Sequence, residues 1–459
     1  MATSIAYSGA RRVLAQNWTG SSTVPSRTLY PHQWSWDSGF IAIGLRHLSP
    51  FRAQRELETL LASQWEDGRI PHIVFNPAVP LTAYFPSPDF WRSSTAGSAA
   101  GAPAGAETSG IVQPPIHALA AWLVHQADPA ASERRGFLRR VYPRLVAWQR
   151  YLTERRDLGG LGLASIVHPW ESGMDNSPCW DPPLARIEPA ASASFHRADL
   201  DHGCPADRPT DLDYGRYVRL AEHYRDQGYA DDPGRQPFAV EDPGLNALLI
   251  AAEHALAEIA AELGEDPADH QVRAAQLTTT LLKRLWSPQE GMFLCRDVVA
   301  NETIPERSAA GLLPLILPGL PDDVARALLR TAAGPRFGLG GTTRLVPSYD
   351  LAGKGFDPAR YWRGPAWFNV NWLVERGLRR YGADLQADAL RHSLVRSAAG
   401  SGYAEYVDPF TGEARGTRDF SWTAAVTVDL LAPGERARLR EEYTASAHHS
   451  LRPALQEAR

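Results

Sequence analysis

The sequence predicts an all-α fold in which helical hairpins close into a double-walled ring, the whole chain (1–459) forming one domain. Three observations lead there. About twelve or thirteen segments carry apolar residues at helical spacing. Strand-like stretches are too short to alternate with them as a parallel sheet would require. Short connections alternate with long loops rich in Gly, Pro and aromatic residues, the arrangement of inner helices whose ends deliver site loops. Periodicity alone does not separate a closed ring from an open solenoid, so closure is an inference from count and loop lengths.

The elements follow in order. A helix over 8–17 leads through a polar segment to the dense loop Tyr30-Pro31-His32-Gln33-Trp34-Ser35-Trp36-Asp37-Ser38-Gly39-Phe40 and a helix over 41–47. Asp37 and Ser38 either cap that helix by accepting its free N–H groups, or Asp37 binds sugar hydroxyls beside a Trp platform; the two roles are compatible. A helix over 53–65 sets Leu57, Leu60 and Leu61 on one face. The stretch 70–91, holding Tyr84, Phe85, Phe90 and Trp91, is a long irregular loop of the kind that is usually functional. The Ala, Gly and Ser run at 93–110 is expected to be a flexible insertion without chemistry. Gln113-Pro114-Pro115 introduces a helix over 116–126, with Pro115 at its first turn. Val141, Leu145, Trp148 and Leu152 mark a helix over 137–155, and a polar, Pro-rich stretch over 181–212 precedes one over 212–226 carrying Arg216 and Tyr217. The clearest helix is 243–263, where Leu245, Leu248, Leu249, Ala252, Leu256, Ile259 and Leu263 form a continuous stripe. Helical patterns continue over 269–286, 309–315, 321–333, 365–381, 385–398 and 420–431, interrupted by excursions such as Met292-Phe293-Leu294-Cys295.

Composition narrows the function. Hydrophobic residues make up 44% and charged ones 22%, which suits a globular chain with a large core. A formal net charge of -5 gives no footprint for neutralising nucleic-acid phosphates. Cys179, Cys204 and Cys295 are too few and scattered for a disulfide framework or thiolate metal site, which suggests a reducing compartment. With no apolar leader and no run of about 18 apolar residues, the expectation is a cytoplasmic protein with no membrane partner. Homo-oligomer formation is left open. The 14 Trp residues are informative by position. Trp34, Trp36, Trp91, Trp170, Trp362 and Trp367 fall in Gly, Pro and Asp-rich stretches, and aromatic faces stack on the C–H faces of sugars.

Two carboxylates supply the chemistry. Asp175 lies in His168-Pro169-Trp170-Glu171-Ser172-Gly173-Met174-Asp175-Asn176-Ser177-Pro178, whose Gly and Pro discourage regular helix, so it sits on a loop that a scaffold must position. Glu405 lies 230 residues away between Tyr403 and Tyr406, before the turn-forming Asp408-Pro409. Glycosidic bond cleavage needs one protonated acid and one ionised base or nucleophile, and apolar walls separate their pKa values.

With these motifs in hand, the chain resembles glycoside hydrolase family 63, specifically the small bacterial members that hydrolyse glucosylglycerate and mannosylglycerate. His32-Gln33-Trp34-Ser35-Trp36-Asp37, Trp170-Glu171-Ser172-Gly173-Met174-Asp175-Asn176, Tyr361-Trp362-Arg363-Gly364-Pro365 with Trp367 and Asn371-Trp372, and Glu405-Tyr406 to Trp422-Thr423-Ala424 carry the resemblance. It implies an (α/α)6 barrel, an inverting mechanism and no redox cofactor; the mechanism needs no metal, and the sequence has no EF-hand spacing for calcium. Asp175 matches the general acid and Glu405 the general base, their carboxyl groups expected roughly 6.5 to 9.5 Å apart to admit a water. Asp37, Trp36, Trp362 and Trp367 match the sugar-binding wall, and Trp34, Trp170, Glu171, Gly173, Tyr361 and Trp422 are counted with it. A glycerate leaving group needs a cation, preferably an arginine fork. Arg208 and Arg216 are the candidates, with Tyr30, Tyr84, Gln113 and Tyr217 as hydroxyl or carboxylate partners. Two other readings compete: an α-glucosidase or trehalase-like hydrolase of neutral oligosaccharides, which needs no buried arginine, and a carbohydrate-binding protein without turnover, which has little use for an acid facing a base.

Overall fold

The structure, a computed structural model, describes residues 2–201 and 205–433. Among these, twelve helices have eleven or more residues. They are α1 (Ala2–Gln16), α2 (Ser35–Leu45), α3 (Pro50–Leu61), α4 (His117–Ala127), α5 (Phe137–Arg150), α6 (Asp211–Asp226), α7 (Pro243–Leu263), α8 (Ala268–Leu285), α9 (Asp322–Ala333), α10 (Phe368–Arg380), α11 (Asp384–Gly400) and α12 (Ser421–Leu431). The segment Ala309–Ile316, expected as an α-helix, is 3₁₀ and contains Pro314, which lacks the N–H an α-helix would use.

The ring is closed. α2 packs on α4, α4 on α7, α7 on Ala309–Ile316, that segment on α10, α10 on α12, and α12 back on α2. These six elements form the inner wall; α1, α3, α5, α8, α9 and α11 form the outer one, each packed on an inner neighbour. Inner and outer elements alternate along the chain, giving an (α/α)6 barrel, with α6 lying outside this alternation. Patterning explains the two walls. Every residue of α2 is buried, as are Phe368 to Arg379 of α10, because an inner helix has neighbours all round. The outer α9 buries only Val324, Ala325, Leu328 and Ala332, a one-sided stripe. Among the described residues, α7 is the one helix long and apolar enough to span a bilayer, and 83% of that apolar window is buried in the barrel. One apolar cluster runs from Ala10 to Leu430.

The seam between first and last inner helices is tight. A Cβ on Gly44 would lie 2.4 Å from the Ala425 carbonyl oxygen, so glycine lets α2 and α12 touch through their backbones. At the same seam the Arg46 guanidinium donates to Asp429 at 2.7 Å, and Trp372 Nε1 donates to its other oxygen at 2.8 Å. Burial alone would raise the Asp429 pKa, but Arg46 and His47 hold it well below the usual carboxylate range.

Helix starts differ from the sequence expectation where loops pair. α2 begins at Ser35 rather than 41, because Trp34 occupies the N-cap position in extended conformation and pairs with Ile73. Asp37 therefore lies inside the first turn and not at the N-cap. α10 begins at Phe368 rather than 365, because Ala366 and Trp367 pair with Val407 and Tyr406. The run over 93–110, expected as a flexible insertion, is folded against the barrel. Trp65 Nε1 donates to Thr108, the Thr108 N–H donates to Ser93 Oγ, and both residues are buried.

Candidate active site

Loops entering four inner helices meet at one end of the barrel. Trp34, Trp36 and Asp37 from the start of α2, Gln113 before α4, Trp367 before α10 and Trp422 in α12 line a single pocket, which also holds Asp175 and Glu405. The N-terminal ends of these four inner helices thus face the site, where their free N–H groups favour anionic groups.

The acid loop is a chain of short turns. His168 caps the 3₁₀ turn Pro169–Ser172, its Nδ1 accepting from the Trp170 N–H at 3.1 Å while Nε2 faces the Tyr217 carbonyl at 2.9 Å. Burial pushes its pKa down to about 3, so the neutral ring donates from Nε2 and accepts at Nδ1. Gly173 then turns the chain at φ 69°, and a Cβ there would meet the Trp36 indole at 2.5 Å. This close approach brings the aromatic wall of α2 onto the acid loop. The Trp180 indole N–H holds the Met174 carbonyl at 2.8 Å, and Tyr361 donates to Asp175 Oδ2 at 3.3 Å. Burial raises the Asp175 pKa to about 7, against the Tyr361 hydrogen bond and the Arg208 charge, which lower it.

The second carboxylate is held differently. Glu405 Oε1 accepts from the Tyr30 hydroxyl at 2.9 Å and Oε2 from the Thr417 N–H at 3.2 Å, with Arg208 Nη2 at 3.8 Å. Burial raises its pKa; Arg208 and the two donors oppose that rise. Asp37 is pushed well up by burial and by the neighbouring charges of Glu405 and Asp175. Asp37, Asp175 and Glu405 act on one another in one buried pocket and cannot all ionise cheaply, and the charge of Glu405 is stabilised by Tyr30, the Thr417 N–H and Arg208. The pocket can therefore hold a protonated Asp175 and an ionised Glu405 at neutral pH.

Around them stands an aromatic wall. Trp362 and Trp367 stack at 3.7 Å, Tyr406 stacks on Trp367 at 4.4 Å, and Trp36 meets Trp422 edge-on at 5.6 Å. Trp170, Gly173, Tyr84, Tyr361 and Arg208 also line the pocket. Arg208 is buried, donates to the Tyr30 hydroxyl at 3.0 Å and lies 4.9 Å from the Tyr361 ring centre.

Three residues expected at the site lie elsewhere. Glu171 is fully buried and accepts from Arg156 Nη1 and Nη2 at 2.6 and 2.7 Å, and from the N–H groups of Val112 and Val167 at 3.1 and 2.7 Å. Its oxygens are occupied, so it braces the loop and does not face the pocket. Tyr217 lies beneath the acid loop, its hydroxyl accepting from Asn176 at 3.3 Å. Arg216 donates to the Ile187 carbonyl at 3.2 Å, because helical phase turns it off the face shared by Tyr214 and Tyr217. Conversely, Asp199, Tyr214 and His72 line the pocket without having been singled out, and Phe85 joins them from the loop over 70–91 that was expected to be functional. Tyr214 sits three residues before Tyr217 on the same helical face, a spacing that could have found it. Asp199 lies in the aperiodic 181–212 stretch, which offered no signal.

A closed (α/α)6 barrel with an aromatic pocket that holds two buried carboxyl groups, Asp175 raised to a pKa of about 7, has the makings of a glycoside hydrolase. Residues 30–423 match the family described as mannosylglycerate hydrolase MGH1-like glycoside hydrolase domain. The chain belongs to this family, within glycoside hydrolase family 63. It is 42% identical to the mannosylglycerate hydrolase of Rubrobacter radiotolerans over 93% of this chain and 96% of that one. It is 39% identical to the glucosylglycerate hydrolase of Mycolicibacterium hassiacum, over 92% and 96%. The crystal structure of the family 63 mannosylglycerate hydrolase from Thermus thermophilus with Tris and D-glycerate superposes with a TM-score of 0.84 at 39% identity, covering 93% of this chain and 100% of that one.

Proposed function

We propose that this chain hydrolyses the α-glycosidic bond of a glycosylglycerate, α-glucosylglycerate or α-mannosylglycerate, with inversion at the anomeric carbon. The observation that carries this reading is Arg208. A buried guanidinium beside the acid and base, hydrogen-bonded to the neutral Tyr30 hydroxyl and 3.8 Å from Glu405, suits an anionic leaving group better than a neutral sugar. The names of the curated relatives and the D-glycerate bound by the Thermus protein agree with it.

In the reaction, Asp175 donates its proton to the glycosidic oxygen as that bond breaks. Glu405 takes a proton from a water attacking the anomeric carbon on the opposite face. Tyr30 and the Thr417 N–H orient the base, and Arg208 keeps it ionised until the glycerate carboxylate shares the guanidinium. The Trp36, Trp362, Trp367 and Trp422 faces hold the sugar, and Asp37 binds its hydroxyls. Action inside the cell fits this reading: Cys179 and Cys295 are buried free thiols, while Cys204 lies outside the described residues.

Proton NMR of the reaction with each substrate tests the proposal. The β-anomer is expected to appear first, with turnover reduced at least about a thousandfold in Asp175→Asn and Glu405→Gln. Cleavage of trehalose or a glucose disaccharide with neither glycosylglycerate touched would overturn the leaving-group assignment.

A further inference from the structure

Asp199 is a carboxylate of the pocket wall that hydrolysis does not use. It lines the same pocket as Arg208, and Arg197, which holds it, also donates to the carbonyl of Pro209, the residue after Arg208. Burial first raises the pKa values of Tyr84 and Tyr214, and the Asp199 charge raises them further, with Asp175 acting on Tyr84 as well. Asp37, by contrast, feels Glu405 and Asp175 and sits at the Trp36 end. Asp199 therefore belongs to the end of the pocket where the proposed reading puts the leaving group.

Its charge is balanced from behind. Arg197 Nε donates to Asp199 Oδ1 at 2.8 Å and Nη2 to Oδ2 at 2.7 Å, while its Nη1 reaches Asp211 at 2.9 Å. The guanidinium also bonds the Pro209 carbonyl at 3.0 Å and lies 4.2 Å from the Tyr214 ring centre. Arg197 is not part of the pocket lining, so a ligand meets the carboxylate and not its partner. Asp199 is only 17% exposed, and water screens it little. The leaving-group end thus presents one accessible guanidinium, Arg208, and one fixed carboxylate.

We infer that Asp199 sets the charge limit of the leaving group: the site accepts an aglycone with one anionic group, held by Arg208, and rejects an aglycone carrying a second. Like charges brought together in a poorly solvated site cost binding, and specificity against a wrong ligand is built from such repulsion. The inference rests on the glycerate reading. It makes the enzyme selective for a glycosylated monocarboxylate over the same compound with its free hydroxymethyl group oxidised or phosphorylated.

Competitive inhibition by D-glycerate and by tartronate, which replaces the hydroxymethyl group with a second carboxylate, tests this on the whole chain. The wild type is expected to bind D-glycerate at least roughly tenfold more tightly than tartronate. Asp199→Asn leaves the shape and exposes the Arg197 charge, so that preference should shrink to about threefold or reverse. Arg197→Met leaves Asp199 uncompensated and should widen it. Opposite shifts in two variants that loosen the same contact cannot come from a shared folding defect. Equal binding of the two anions by the wild type, or a ratio that neither variant moves, overturns the Asp199 inference and leaves the glycerate reading standing. Failure of D-glycerate to bind at all, with no glycosylglycerate cleaved, overturns both.

Discussion

The proton proposed for catalysis is placed by surroundings rather than by residue type. Asp175 and Glu405 are both buried and both feel the Arg208 charge, yet Tyr361 reaches Asp175 only at 3.3 Å, while Glu405 accepts from Tyr30 at 2.9 Å and from the Thr417 N–H at 3.2 Å and lies 3.8 Å from Arg208. A folded-state Asp175 pKa of about 7, against an ordinary 3.8, has two consequences. First, kcat/KM should fall as pH rises above about 7, because the acid loses its proton; a pH–rate profile measures this directly. Second, between these two values the native state keeps a proton that the unfolded chain releases, so raising pH through this window destabilises the fold. Asp175→Asn removes the buried charge. The variant should be more stable than wild type by on the order of 2 kcal/mol at pH 8, with the gain vanishing below about pH 4, as read by denaturant unfolding at both pH values. The sequence made the two carboxylates legible because each stands in a dense aromatic loop. It could not show that Glu171, in the same motif, is turned away, since only the fold brings Arg156 beneath it.

Single turns matter as much as helices. Glu171 ties the Val167 N–H at the root of the acid loop to the Val112 N–H next to Gln113, so one carboxylate sets the acid and a pocket residue in common register. Glu171→Gln weakens the Arg156 pair inside the protein, and its cost should be roughly 2–4 kcal/mol. With the acid loop loosened, kcat should drop more than KM rises at a temperature where the variant is folded. A Glu171 that held sugar would instead raise KM and leave Tm unchanged, so steady-state kinetics beside a melting curve separate the two roles. Long periodic elements were legible: α7 was expected over 243–263 and spans Pro243–Leu263. Helix starts at the site were not, because Trp34 and Trp367 lie in two-residue pairings whose partners, Ile73 and Tyr406, come from distant loops. Local sequence carries no record of such partners.

At the scale of the molecule, the barrel stands or falls at its seam. Gly44→Ala would drive a methyl group into the Ala425 backbone and open the contact between α2 and α12. Overpacking of this kind costs about 1–3 kcal/mol. The loss should appear as a lower Tm accompanied by falling activity, since Trp36 of α2 and Trp422 of α12 meet in the pocket just beyond that seam. Closure itself was only inferable from the number of helices; the pairing of first with last is a long-range contact that no periodicity reports. It has a consequence for synthesis. Tyr30 is made early and Glu405 some 375 residues later, yet the hydroxyl of one orients the carboxylate of the other. A chain emerging from the ribosome holds Trp36, Asp37 and Asp175 long before it reaches Glu405, so a product that stops short of Glu405 lacks the proposed base. Activity begins with the last hairpin, and the ring that shapes the site also times its birth.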